Sequence, residues 1–522
     1  MTDTQRQSGE RAREGTADQP DPRRWKALAV CLVGGFMVLL DVSIVNVALP
    51  SIRTGLSASQ SELQWVVSGY ALTFGLLLVP AGRVGDVRGR RTMFTVGLGL
   101  FSLTSLACGL APSSLFLVIG RLLQGLAGGL LTPQISALIQ QMFRGRERGT
   151  AFGLFGTIVG VSTAVGPLLG GALIEAFGTE HGWRWVFLVN LPIGLAAMPL
   201  AWKLLPKPDR RQKHRHDYDP LGVLLLGAGI VVLLLPLVQE QQWKGSAKWL
   251  LVPAAVLLLG AFVLWEFRYT RRGKEPLVDL GLFRLRSWSF GASMITLFFA
   301  GFTPIFFIFT LYLQTGLGYS ALQAGLAITP FAVGSAAAAA LGGRIVHRFG
   351  RTLVAAGLLL VAVGFAGTLV AVHVVPEHGT GWATLFPLLV GGLGAGLVIS
   401  PNQTLTLSEV PVERAGTAGG LLQVGQRIGA AVGIAAVGSV FFARVAATRG
   451  DFASAYEHGM FVATGFVVAA LLLAVVDVVV DRRVHASRSA AESGPAGRTT
   501  SPVAVHAPRT GHQRLGVSSV RP

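Results

Sequence analysis

Fourteen apolar stretches, each long enough to cross a bilayer as a helix, constrain this chain more than any other feature. They fall at residues 27–49, 62–81, 92–111, 114–139, 151–175, 184–205, 220–238, 249–268, 288–314, 320–345, 352–374, 382–408, 416–443 and 459–480. A helix needs about 20 largely apolar residues to span the hydrocarbon core. At 522 residues a soluble protein would divide into about three domains. Here 51% of the residues are apolar and 13% charged, and the apolar ones are gathered into those runs. The expectation is an all-α polytopic membrane protein.

The net charge of +18 follows from topology. Arginine and lysine cluster between alternate runs: Arg83 to Arg91, Arg144 to Arg148, Lys207 to Arg215, Arg268 to Lys274 and Arg344 to Arg351. The other connections carry few, such as Arg53, Arg184, Lys244 and Lys248. Basic loops stay in the cytoplasm, which puts both termini there and the chain in the cytoplasmic membrane. With no basic helix or aromatic–basic sheet outside the membrane, nucleic acid is not an expected partner. Residues 1–26 and 481–522 are too polar to bury a core and are expected to be disordered tails. The first run is too long for a cleavable signal peptide. Cys31 and Cys108 lie inside apolar runs and suggest inert free thiols.

The chain also repeats itself. GRVGDVRGRRT from Gly82 returns as GRIVHRFGRT from Gly343, an offset of 261 residues. QGLAGGLLTPQ followed by ERGTAFG returns, at nearly the same offset, as GGLGAGLVISPNQ followed by ERAGTAGG. Parallel repeats of this kind build transporters from two bundles with a substrate site between them. The expected organisation is a six-helix bundle at 27–205, a linker with two extra helices at 206–287 and a second six-helix bundle at 288–480. The stretch KPDRRQKHRHDYDP reads as linker, since its His and Asp residues lack metal-site spacing.

Buried charge is scarce, and so informative. Glu62, Glu175, Glu240 and Glu266 stand at the ends of runs, and Asp477 near the end of the last. Asp41 is the one acid well inside a run, and Arg121 and Arg427 are the deep bases. At 1.5 Å per residue, Asp41 lies roughly 12 Å and Arg121 roughly 10 Å below the same surface. Intramembrane ionisable residues pair or face a cavity, and are functional hypotheses by default. A fixed structural ion pair and a proton-binding carboxylate beside a mobile guanidinium both fit these residues. Gln124, one turn from Arg121, is placed to supply a hydrogen bond in the same cavity. Arg427 suits substrate, gate or packing equally.

Five motifs, taken in order, resemble the major facilitator superfamily, and within it the fourteen-helix drug:proton antiporter branch. They are LDVSIVNVALP in the first run, GRVGDVRGRR after the second, RLLQGLAGG in the fourth, GLFGTIVGVSTAVGPLLGG in the fifth and WRWVFLVNLPIG in the sixth. The resemblance covers roughly residues 27–480. It implies alternating access, export of a lipophilic drug-like molecule against protons, no cofactor beyond the proton gradient, and action as a monomer among membrane lipids. The buried charges give proton coupling to Asp41 and Arg121, and a substrate cavity to these with Gln124, Asn190 and Arg427, packing being the favoured alternative for Asn190. The resemblance makes Gly82, Arg83, Asp86, Gly89 and Arg90 a gating loop whose acid reaches the start of the thirteenth run, at Gly416–Gly419. Gly166, Pro167, Gly170 and Gly171 become an antiporter motif that seals a kinked fifth helix against leak.

Two residues depart from the pattern. Ser162 replaces a frequent glycine, and His347 stands in the second repeat where Asp86 stands in the first. Trp183 and Trp185 are expected in an interfacial aromatic belt, with Asn190 and Pro192 deeper. No Walker-type phosphate loop is present, which argues against direct ATP hydrolysis and against an enzyme. Export of a metabolite, uptake on the same fold, or a non-transporting membrane sensor are the competing readings.

Overall fold

In a computed structural model, which describes residues 21–207, 219–238, 243, 245–375 and 379–492, the described chain contains helices and no strand. Fourteen helices are long and apolar enough to cross a membrane. They are α1 (Arg24–Leu56), α2 (Gln60–Arg88), α3 (Arg90–Gly109), α4 (Ser114–Met142), α5 (Gly145–Phe177), α6 (Gly182–Leu204), α7 (Pro220–Val238), α8 (Leu251–Arg271), α9 (Arg286–Leu311), α10 (Ala321–Phe349), α11 (Arg351–Val374), α12 (Thr380–Thr406), α13 (Ala415–Ala447) and α14 (Phe452–Glu492). Most of the linker, with Glu240 and Lys244, lies outside the described residues.

Local chemistry sets several boundaries. Capping boxes start α2 and α10: Ser59 with Glu62, and Ser320 with Gln323, exchange side-chain and backbone hydrogen bonds. The turns from α2 to α3 and from α10 to α11 pass through Gly89 (φ 103°) and Gly350 (φ 53°), conformations that side chains resist. α6 breaks at Val189 between Leu188 and Asn190. The end of α9 loosens into a π-helical turn at Tyr312–Gly316.

Two six-helix bundles and a pair of extra helices make up the molecule to Val478. In the first bundle α4 packs on α2 and α3, α5 on α1, and α6 on α1 and α3. In the second, α12 packs on α10 and α11, and α13 on α9. Gly301 of α9 lies against Val467 of α14, and the rings of Tyr312 and Tyr456 stack 5.3 Å apart. The bundles meet along α5–α10 and α2–α13. α7 lies against both α2 and α13, and α8 packs on α7. Residues from Val479 onward form a second unit, described only as the continuation of α14 to Glu492.

Three expectations need correction. The tail expected from residue 481 is helical to Glu492, and helix begins at Arg24, inside the other expected tail. Gly82, Arg83, Gly85 and Asp86 belong to the last turns of α2, so the expected loop shrinks to Gly89. The run stopped at Ala81 because charge appears there, yet the backbone hydrogen bonds continue where those charges find partners. Trp183 is fully buried, while Trp185 is 42% exposed. Only Trp185, stacked on Phe177 with centroids 4.4 Å apart, suits an interfacial belt.

Candidate functional site

The sixth helix brings a third element to the charges of the first and fourth. Asp41 on α1 is completely buried, and its Oδ2 lies 2.6 Å from Nη1 of Arg121 on α4. Gln124 Nε2 donates to Asp41 Oδ1 at 2.9 Å, and Asn190 Nδ2, at the α6 break, lies 3.4 Å from the same oxygen. One helical turn brings Gln124 beneath Arg121, so both address one carboxylate. The break at Val189 leaves Asn190 to open the second segment of α6, beside Ser105, to which it donates at 3.1 Å.

Arg121 does not depend on Asp41 alone. Its Nε donates to Val66 O at 3.0 Å, its Nη1 also reaches Gln124 Oε1 at 2.8 Å, and its guanidinium lies 4.1 Å from the Tyr70 ring centroid. Such contacts keep a guanidinium satisfied when its ionic partner is neutral. Two buried polar atoms here find no partner among the described residues: Asn190 Oδ1 and the Tyr70 hydroxyl. Tyr70 was not anticipated from the sequence. A tyrosine in an apolar run carries no signal of its own; only its spacing of four from Phe74, with which it stacks at 5.8 Å, hints at a shared face.

Arg427 stands apart from this cluster. It projects from α13 to α2, where its guanidinium lies 4.6 Å from the Phe74 ring centroid. The structure therefore joins Asp41, Arg121, Gln124 and Asn190 directly, and reaches Arg427 only through Tyr70 and Phe74.

At the end of the bundles rich in arginine, Asp86 forms the second constellation. Its carboxylate accepts the backbone N–H groups of Gly416 (3.1 Å) and Thr417 (3.0 Å), the first residues of α13. Unsatisfied N–H groups and the helix dipole make a helix N-terminus attractive to a carboxylate. Arg90 donates to Asp86 Oδ1 at 2.8 Å, to Ala137 O at 3.0 Å and to Val412 O, tying α2, α3, α4 and the approach to α13 together. Gly82 is needed for this approach, since a Cβ there would stand 2.6 Å from the carbonyl carbon of Gly416. Arg83 pairs with Glu275 at 2.6 Å.

The second repeat makes its ties elsewhere. His347 is exposed, and Arg351 pairs with Asp477 of its own bundle, which Arg286 also binds at 2.9 Å. The interface between bundles is thus latched from one repeat only at α2–α13.

α5 turns two small-residue faces in opposite directions. Gly153 and Gly160 meet Gly343 and Ala336 of α10, where a Cβ would come within 2.9 Å. Past the Ser162 level, Gly166 and Gly170 press on Ser43 and Ile44 of α1, around Pro167. Gly171 faces open space and takes no part in this packing. Ser162 is buried, its carbonyl accepts the Ser43 hydroxyl at 3.0 Å, and its own hydroxyl has no partner among the described residues. Close packing of α5 on α1 therefore survives the loss of the glycine.

Comparison with known proteins agrees with this architecture. The profile of the Major Facilitator Superfamily matches residues 31–434. A probable actinorhodin transporter of Streptomyces coelicolor is 39% identical over 82% of this chain and 75% of its own length. A puromycin resistance protein of Streptomyces alboniger is 36% identical over 92% of this chain and 95% of its own. A tetracenomycin C resistance and export protein of Streptomyces glaucescens is 35% identical over 81% and 77%, respectively. Among solved structures, the human organic anion transporter MFSD10 superposes with a TM-score of 0.61 at 15% identity, covering 87% of this chain and all of that one. The proton:xylose symporter XylE gives the same TM-score at 17% identity, over 87% of this chain and 95% of its own. These two likenesses concern the fold alone.

Proposed function

The chain belongs to the Major Facilitator Superfamily, and on that premise we propose that it is a proton-coupled antiporter. In this reading it exports a lipophilic, antibiotic-like small molecule across the cytoplasmic membrane by alternating access. The names of its relatives, which concern antibiotic transport, resistance and export, support the direction and the substrate size. The observation that carries the coupling is the completely buried Asp41–Arg121 pair, because each partner has a second set of contacts to fall back on.

The cycle follows from those contacts. In the arrangement described, Arg121, Gln124 and Asn190 all donate toward Asp41, the set of partners that suits a carboxylate. A proton on Asp41 removes the ionic attraction. Arg121 then keeps Val66 O, Gln124 Oε1 and the Tyr70 face. The vacant Oδ1 of Asn190 offers an acceptor for the new acid proton after an amide rotation. α1, α4 and α6 are thereby held together differently in the two charge states. Asp86 on the α13 N-terminus would keep the cytoplasmic end closed in one of them. Gly166 and Gly170 against α1 would limit leak past the pair.

The test compares native protein with Asp41→Asn in an exporter-deficient bacterium, scoring resistance across a panel of toxic lipophilic compounds. Asp41→Asn should remain inserted at native levels and lose resistance to near the vector control, whereas Asp41→Glu should keep part of it. Undiminished resistance with Asp41→Asn would move proton coupling elsewhere in the molecule. No native resistance, with altered cell responses only, would favour the sensor reading.

A further inference from the structure

Counting charges inside the membrane region leaves a remainder. Asp41 is answered by Arg121, Asp86 by Arg90, and Asp477 by Arg286 and Arg351. Arg427 has no ion pair or hydrogen bond among the described residues; its recorded contact is the face of Phe74. It lies twelve residues beyond the start of α13 at Ala415, hence about 18 Å along a helix that crosses a core about 30 Å thick. This is mid-depth, on the seam where α13 meets α2. The side chain is half-buried.

A bare guanidinium at such depth is costly unless something answers it for part of the cycle. An aromatic face attracts a cation far more weakly than a carboxylate does. We propose that Arg427 is the recognition site for an acidic group on the transported molecule, so that the preferred substrates are lipophilic anions: an apolar body carrying a carboxylate or phenolate. This assignment rests on the transport reading and adds the substrate's charge to it. The planar fork of arginine matches a carboxylate bidentately, which a point charge would not. A cationic substrate finds no equivalent, because the Asp41 charge is already cancelled by Arg121.

Proton and substrate then act on separate charges. Arg121 lies on Tyr70, Arg427 on Phe74, and the two rings stack on one face of α2. Coupling passes through the position of α2 rather than through competition for one carboxylate.

Two xanthene dyes of similar size and opposite charge provide the test: fluorescein, an anion at neutral pH, and rhodamine 6G, a cation. The full chain is reconstituted in proteoliposomes with an imposed proton gradient, and flux of each dye is followed for native protein, Asp41→Asn, Arg427→Gln and Arg427→Lys. Native protein should move fluorescein at least tenfold faster than rhodamine 6G. Arg427→Gln should lose most of that flux, and Arg427→Lys should keep the anion preference, which also shows that position 427 tolerates change. Rhodamine moved faster than fluorescein, or fluorescein flux indifferent to Arg427→Gln, overturns the charge assignment while Asp41-dependent flux leaves the antiporter standing. No Asp41-dependent flux of either dye or of the compounds in the resistance panel sinks the antiporter itself, and the assignment with it.

Discussion

A charge inside an apolar chain needs an answering group, and Asp41 is met by Arg121 and Gln124 together. Asp41 and Arg121 were placed at matching depth by counting residues, and they lie 2.6 Å apart. What counting does not reveal is direction around a helix axis once every face is apolar. Asn190 was legible as a polar residue in a motif, and the break at Val189 that brings it to Asp41 has its signal in Pro192, which cannot donate to the carbonyl of Leu188. Tyr70 was silent, since counting gives no direction around the axis. The buried pair makes a stability prediction. Arg121→Gln should strand a buried carboxylate and lower stability by about 3–5 kcal/mol. Asp41→Asn combined with Arg121→Gln should recover most of that loss, because two amides can bond each other, yet should not restore transport. Thermal unfolding of the purified variants in one detergent, beside the resistance assay, checks both halves. A double variant no more stable than Arg121→Gln would mean that the pair's value lies in packing.

Among the elements, the extra helices α7 and α8 were found by length and apolarity but gave no functional motif. The structure shows what joins them. Asp219, 6% exposed, precedes α7, and Glu266, completely buried, sits near the end of α8; both carboxyl groups flank Gly222, and Glu266 Oε2 accepts Val278 N at 3.4 Å. Trp265 Nε1 donates to both oxygens of Asp219 at 2.9 Å, as does Gly222 N to one of them at 2.9 Å. No cation pairs with either acid among the described residues. Glu266 was legible only as an acid at the end of a run, because its neighbour Asp219 stands before the preceding helix, α7, 47 residues away in sequence. An amide oxygen can still accept Val278 N and removes a charge that no cation answers, so Glu266→Gln should stay within about 0.5 kcal/mol of native stability. Asp219→Ala should cost about 1–3 kcal/mol by orphaning the Trp265 and Gly222 N–H groups. Melting of both variants in detergent decides the matter, and equal losses would leave the pair as ordinary filler between two helices.

The molecule as a whole is two bundles that touch tightly at one end, and the sequence repeat made that division visible before any coordinate. It also suggested equivalence between the halves, which the latch denies: Asp86 crosses to α13, whereas Arg351 turns inward to Asp477. The asymmetry follows from one substitution, since His347 stands exposed at the place corresponding to Asp86. Under alternating access the Asp86 latch must release each cycle, so it should be weak enough to break and strong enough to bias. A carboxylate on a helix N-terminus contributes roughly 0.3–1 kcal/mol at a surface and up to about 2 kcal/mol when partly buried. Asp86→Asn should then shift the balance between end-closed and end-open forms by about two- to thirtyfold, at RT of about 0.59 kcal/mol. Spin labels at positions 88 and 413, both exposed and on opposite sides of the seam, report that distance in reconstituted protein. Native protein should show a dominant short separation, and Asp86→Asn a larger long-distance population. A distance distribution that ignores Asp86→Asn would reduce the contact with Gly416 and Thr417 to a local cap and place the gate on the α5–α10 seam instead.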